Sequence, residues 1–248
     1  MSIKKKLFDY LDKQFYPHIY FFPSPFKIYE YREMKRAAQL DRSHRVLDIG
    51  CGHGLQTRLM ATEADEVVGI DIGEGAIGWA KSLQAKGRDG SRCQFLQTRI
   101  EDAGFAPDSF DRVMSVCVLE HIPDDESVLR ECFRVLKPGG KLIFSIDSLA
   151  TLKDPQIKET HRERYAVCQY YEPAAIREKL EAAGFGEVSV RPLLGSDLAR
   201  RWFEQAIQRE FRFRYSEAVL RYWLLRVVEA WRKPDKGIYL LIAGTKPA

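Results

Sequence analysis

The chain reads as an α/β protein whose core is a doubly wound, mostly parallel sheet, on three grounds. From Arg45 onward, short apolar runs alternate with helical patterns, which argues for parallel strands joined by right-handed crossovers. A glycine-rich turn, "VLDIGCGHG" at 46–54, follows the first of these runs. At 136–140, "LKPGG" stops a helix and turns into a further apolar run, as Pro and Gly just past a helix end do.

Residues 1–44 look helical, broken at Pro17, Pro23 and Pro25. Strands are expected at 45–49, 66–70, 93–96, 111–116 and 141–146, with helices at 54–63, 74–86 and 124–136. A helix at 173–183, closed by Gly184, leads to a strand near 187–193, and a seventh strand spans 238–245. The roughly 45 residues between the last two strands look helical. Phe203, Ile207, Phe211 and Tyr215 recur every four residues there, as do Leu220, Leu224 and Val228. Ser216 is expected to cap the second helix of this insertion. Adjacent strands need only a short connection, and Trp202, Phe203, Phe211, Tyr222, Trp223 and Trp231 are too many aromatics for a solvated linker. The organisation predicted is a helical N-terminal lid at 1–44, a sheet domain at 45–193 and 237–248, and a helical cap at 194–236.

Of the 248 residues, 45% are hydrophobic and 30% charged, proportions of a soluble globular chain. Asp9 and Asp12 interrupt what a secretory signal would keep apolar after Lys4, Lys5 and Lys6. Arg221, Arg226 and Glu229 cut the most apolar stretch, so no transmembrane span is expected. Cys51, Cys93, Cys117, Cys132 and Cys168 form no CxxC pair, which predicts neither a metal site nor a disulfide framework and fits a reducing cytoplasm. The net charge of +4 is unevenly spread: residues 1–36 hold eight Lys/Arg against four Asp/Glu, and 198–236 hold ten against five. Two basic segments flank a mildly acidic body, which is no basis for reading the whole chain as a nucleic-acid binder.

The glycine turn lies between a buried strand ending at Ile49 and a helix beginning near Leu55, at the sheet edge where open α/β folds bind ligands. Glycines let a ligand approach the backbone, and the helix N-terminus offers unpaired N–H groups. Its spacing from Gly50 is G-x-G-x-G. A dinucleotide fingerprint wants G-x-G-x-x-G, and a phosphate loop ends in G-K-[ST]. A nucleoside site without pyrophosphate tolerates the carboxylate of Asp48, and a tight turn without ligand is the bland alternative. Asp71, about 20 residues on, ends the second strand, where a carboxylate can accept both ribose hydroxyls.

"VLDIGCGHG", "VVGIDIG", "SFDRVMSVCVLEHI" and "VLKPGGKLIFSI" together resemble the successive motifs of class I S-adenosylmethionine-dependent methyltransferases, over about 45–150, with a weaker echo in "YYEPAAIREKLEAAGF". The resemblance implies a Rossmann-like, seven-stranded sheet with an antiparallel last strand, and S-adenosylmethionine as cofactor. It places Gly50, Cys51 and Gly52 under the methionine part, with Asp48 ordering the loop. Asp71 would bind the ribose, Ile72 would pack on the adenine, and Val116 and Cys117 would line the pocket near the sulfonium. Arg99 stands where many relatives carry an acid, so Ile100 supplies apolar contact and Glu101 or Asp102 replaces the acid. Cys117 is expected to pack rather than react, with no basic neighbour to lower its pKa. His121 either caps a turn or faces the substrate as general base.

The activity implied is methyl transfer by in-line displacement to a small-molecule or lipid-like acceptor, in which positioning dominates. "HRERYAVCQYY" either binds a polar acceptor or forms a solvated helix with its tyrosines on the sheet. The arginines of 194–236 predict a basic, apolar rim over the acceptor pocket, with peripheral membrane contact through its aromatic helices. No RNA-recognition signature accompanies the charge, so a nucleic-acid partner is disfavoured. The alternatives are a non-catalytic module of the same fold and an RNA- or membrane-surface-associated methyltransferase.

Overall fold

The computed structural model describes residues 24–86 and 92–248. The helices expected within 1–23, with the breaks at Pro17 and Pro23, lie outside the described residues. Helix α1 (Pro25–Ala38) opens the described chain with Pro25 in its first turn. Pro25 starts this helix rather than breaking it, because its fixed φ and missing N–H suit that position. The core then alternates as β1 (Arg45–Ile49), α2 (Leu55–Met60), β2 (Glu66–Asp71), α3 (Glu74–Lys86), β3 (Cys93–Gln97) and β4 (Phe110–Val116). A 3₁₀ turn (Leu119–His121), α4 (Asp125–Val135), β5 (Leu136–Asp147), α5 (Pro155–Tyr165), α6 (Pro173–Ala182) and β6 (Gly186–Leu193) follow. The insertion forms α7 (Asp197–Gln208) and α8 (Tyr215–Glu229), and β7 (Tyr239–Thr245) ends the sheet.

The seven strands are ordered β3-β2-β1-β4-β5-β7-β6. Every described pairing is parallel except those of β7, which runs antiparallel to β5 and β6. The order reverses at β1, whose two neighbours are β2 and β4. The carboxyl ends of β1 and β4 therefore stand side by side, as a ligand crevice requires.

Three local expectations shift. The helix expected over 54–63 stops at Met60, and Ala64 closes it by donating to the Met60 carbonyl. "LKPGG" is already strand: β5 starts at Leu136, and its pairing with β4 changes register between Phe110 and Arg112. Ser216 sits inside the first turn of α8, whose cap position is Arg214. Ser196 caps the preceding helix instead, accepting from the Ala199 N–H at 3.1 Å.

The insertion is not a separate body. α1 lies against β5, β7 and α8, and α5 against α7. Phe26 and Phe203 are buried and meet edge to face at 5.1 Å, and Phe203 meets Tyr239 of β7 at 5.9 Å. Each such side chain contributes roughly 1.5–3 kcal/mol by burial, so α1, α7 and β7 hold one another in place.

Candidate functional site

The chain leaves β1 through Gly50 and Gly52, both in the left-handed region at φ +67° and +52°. A Cβ on Gly50 would collide with Val118, so only glycine fits. A Cβ on Gly52 would meet nothing within 4 Å, so this glycine leaves open space beside bare backbone. The turn is held from β2. Asp71 accepts the Gly52 N–H on Oδ2 and the Gly73 N–H on Oδ1, each at 2.8 Å. Each carboxylate oxygen keeps a further lone pair for a ligand hydroxyl. Asp48 lies beneath, 2% exposed, accepting from the Thr57 hydroxyl at 2.6 Å. Burial, with Asp71 adding to it, raises its pKa to about 7. Asp48 thus ties the strand end to α2.

A cavity of about 720 Å³ opens over this turn. Gly50, Cys51, Gly52, His53, Trp79 and Leu83 line one part of it, and Lys27, Cys117, Asp147, His161, Phe203 and Tyr239 another. Val116, His121, Tyr165, Glu210 and Phe211 also border it. Among these lining residues no arginine occurs. Three arginines of the insertion are engaged elsewhere: Arg200 with Asp197 and Glu204, Arg221 with Glu217 and over Trp202, and Arg226 over Trp223.

One part of the cavity is a buried polar cluster. Lys27 Nζ donates to Cys117 Sγ at 2.8 Å and pairs with Glu30 at 2.9 Å, and Cys117 Sγ donates to Glu30 at 3.0 Å. Cys117 therefore has a basic neighbour after all. Its thiol is nevertheless pushed up, by burial first and by Glu30 next, against Lys27. Burial would lower Lys27, but Cys117, Glu30, Tyr239 and Asp147 hold it well above the usual lysine range. Asp147, at the end of β5, is raised to about 6 by burial, with Lys27 opposing and Glu30 adding. Burial and Asp147 raise Glu120 further. Cys117, Glu120 and Asp147 bring donor atoms within 4.8 Å of one another, but the cation beside them is Lys27.

Two histidines have tautomers fixed by their partners. His121 Nδ1 lies 3.2 Å from the Ala166 carbonyl, which only accepts, so Nδ1 carries the proton and Nε2 keeps its lone pair. His161 Nδ1 meets the Tyr170 hydroxyl at 3.0 Å, while that hydroxyl donates to the Lys158 carbonyl. His161 Nε2 therefore faces Asp147 unprotonated at 3.7 Å. Burial, then Lys27, lowers His161 to about 4.

Of the residues that the sequence singled out, Gly50, Cys51, Gly52, Val116, Cys117 and His121 meet at this cavity. Asp71 joins it through Gly52, and Asp48 supports it from below. Ile72 is 71% exposed just after β2, and Ile100 is buried. Arg99 and Asp102 pair with each other at 3.0 Å, beside half-buried Glu101. Lys27, Asp147 and Trp79 were not singled out. Asp147 carries the signal that found Asp71, a carboxylate at the carboxyl end of a strand. Trp79 and Lys27 look like ordinary helix residues.

Residues 47–144 match the family model described as "Methyltransferase domain". Ubiquinone biosynthesis O-methyltransferases of Pseudomonas savastanoi and Pseudomonas fluorescens are 40% and 41% identical over 102 residues. That stretch is 41% of this chain and 43% of theirs, so the chain matches less than half of these relatives' length. Among solved structures, phosphoethanolamine N-methyltransferase 2 of Haemonchus contortus, in complex with S-adenosyl-L-methionine, superposes with a TM-score of 0.66 at 22% identity, over 97% of this chain and 60% of that one. An S-adenosylmethionine-dependent methyltransferase from Mesorhizobium loti gives 0.61 at 19%, over 88% and 97%. Residues 47–144 are thus similar to methyltransferase domains, and the seven-stranded sheet that carries them has the fold of these solved structures.

Proposed function

We propose that this protein transfers a methyl group from S-adenosylmethionine to a small-molecule or lipid-like acceptor bound in the same cavity. One observation carries the reading: the glycine turn and the buried polar cluster border a single space of about 720 Å³. When bound, the cofactor supplies a methyl group on a positively charged sulfur, already activated for displacement. The residues of the chain hold and align. The bare backbone at Gly52 cradles the methionine part, and Asp71 receives the ribose hydroxyls. Exposed Ile72, with Ile100 and Glu101, borders the adenine, while Val116 and Cys117 stand near the sulfur. His121, with its free Nε2, carries the acceptor's proton away. Phe203 and Phe211, together with α1, roof the acceptor end as lid and cap. The similarity to O-methyltransferases supports an oxygen acceptor. Incubation with methyl-labelled cofactor and a metabolite or lipid extract tests the reading: label appears in a small molecule if it is right, and in none if it is wrong.

Peripheral membrane contact is a second reading, supported by α8. Leu220, Leu224 and Val227 lie along it at helical spacing and are 62%, 43% and 67% exposed, and Trp231, just past its end, is 94% exposed. Exposed Arg232, Lys233 and Lys236 follow, so the stripe suits an anionic surface. No helix of the described residues is long and apolar enough to cross a membrane. Binding to phosphatidylglycerol but not phosphatidylcholine vesicles, weakened by Trp231→Ser, is expected. Equal binding to both, or to neither, would refute it.

A further inference from the structure

We propose that the acceptor is an acidic hydroxyl of the phenol or enol class and that Lys27 holds it as its oxyanion. This rests on the methyl-transfer reading above and names the chemistry of its acceptor end. An ammonium has three N–H donors. Two of Lys27's are engaged, on Cys117 and on Glu30. About a third of the side chain remains open (34%), and it lines the cavity that the glycine turn also lines. Nζ also stands 4.8 Å from the centroid of the Tyr239 ring, but no further hydrogen-bond acceptor faces it among the described residues, so the third donor is left for a ligand, beside the Cys117 that follows β4.

The surroundings select among acceptors. A neutral alcohol gains little there, whereas a hydroxyl that ionises gains a charge-assisted bond. The neighbouring wall is aromatic: Phe203 meets Phe211 at 5.2 Å and Tyr239 at 5.9 Å, and Tyr165 meets Phe211 at 6.0 Å. Such a wall fits a flat ring.

The proton also has somewhere to go. Charged and titratable groups reach this end from every element around it: Glu30 on α1, Glu120 in the 3₁₀ turn, Asp147 on β5, His161 on α5 and Tyr239 on β7. Of these, Asp147 lines the cavity with His161 and Tyr239, and it is the carboxylate among them that lies near Lys27. The acceptor O–H passes its proton to the Asp147 carboxylate, and the negative charge moves from Asp147 to the acceptor oxygen against Lys27. That oxygen's electron pair forms the new bond to the methyl carbon. The carbon–sulfur bond breaks with its pair remaining on sulfur, which becomes a neutral thioether. Asp147 then returns its proton to solvent through His121. A carboxyl raised to about 6 suits this exchange near neutrality.

The probe is para-nitrophenol, whose phenolate absorbs visibly and whose phenol does not. It is added to the full-length protein saturated with S-adenosylhomocysteine, at a pH below the probe's own pKa, with calorimetry on the same samples. A visible phenolate band is expected with the parent protein and none with Lys27→Met. Because Lys27→Met strands the Glu30 charge, Lys27→Met/Glu30→Gln is measured too and should also lack the band. In Asp147→Asn the proton goes to buffer, so the band should follow pH where the parent's does not; equal responses would remove Asp147 from the step. A protonated probe on parent protein that binds S-adenosylhomocysteine would overturn the inference and leave methyl transfer standing. A band surviving in both Lys27 variants would likewise overturn it. Failure to bind S-adenosylhomocysteine would overturn the methyl-transfer reading itself.

Discussion

Lys27 Nζ lies 2.8 Å from Cys117 Sγ, across 90 residues of sequence. The contact joins α1, outside the matched domain of 47–144, to the turn after β4. The first described helix thereby supplies a charged part of the cavity from outside the matched domain.

Asp71 is expected to govern cofactor affinity. It orients Gly52 and keeps lone pairs for the ribose, so Asp71→Ala should weaken S-adenosylhomocysteine binding by roughly 1.5–3 kcal/mol, the scale of bonds to a charged group. Calorimetry with unchanged affinity would remove Asp71 from the site.

For His121 the expected loss is in turnover. Once an acceptor is known, His121→Ala should lower kcat by about tenfold to ten-thousandfold with cofactor affinity unchanged, the range of general acid–base catalysis. Full activity across the pH range would end this role.

Asp48 makes stability depend on pH with a definite sign. Its native pKa of about 7 exceeds the ordinary 3.8, so between these values the folded state keeps a proton that the unfolded chain has lost. Stability from this group therefore falls as pH rises from about 4 to 7 and stays low above that. Asp48→Asn keeps the Thr57 bond and removes the charge. It should raise stability above pH 7 by on the order of 2–4 kcal/mol and change little in acid. Thermal unfolding that shows no gain at alkaline pH would contradict the burial argument.

Phe203 couples the insertion to the cavity. It is 1% exposed, borders the cavity, and touches Phe26, Phe211 and Tyr239. Phe203→Ala should cost about 3–5 kcal/mol of stability and weaken para-nitrophenol binding more than S-adenosylhomocysteine binding. Equal losses for both ligands would argue against a cap at the acceptor end.

The strand positions are legible in the sequence because β1 and β2 are apolar runs buried in mid-sheet, punctuated by glycines that their turns require. The glycine turn is equally legible: Gly50, Gly52 and Asp71 are local in sequence and close in space. The polar cluster on the other side of the cavity is not. Nothing in "SPFKIYEYREMKR" says that Lys27 and Glu30 will face Cys117, since that depends on how α1 docks on β5 and β7. The basic rim expected over the pocket fails to line it for the same reason. Arg200 and Arg221 find acids one helical turn away, and Arg226 an aromatic face, before they reach the cavity.

Calorimetry with S-adenosylhomocysteine and with NAD, on parent protein and Asp71→Ala, tests most directly whether the glycine turn is a methyl-donor site. Saturable binding of S-adenosylhomocysteine, weakened in Asp71→Ala, with no heat from NAD, is the predicted result. Tight NAD binding with no response to S-adenosylhomocysteine would contradict it.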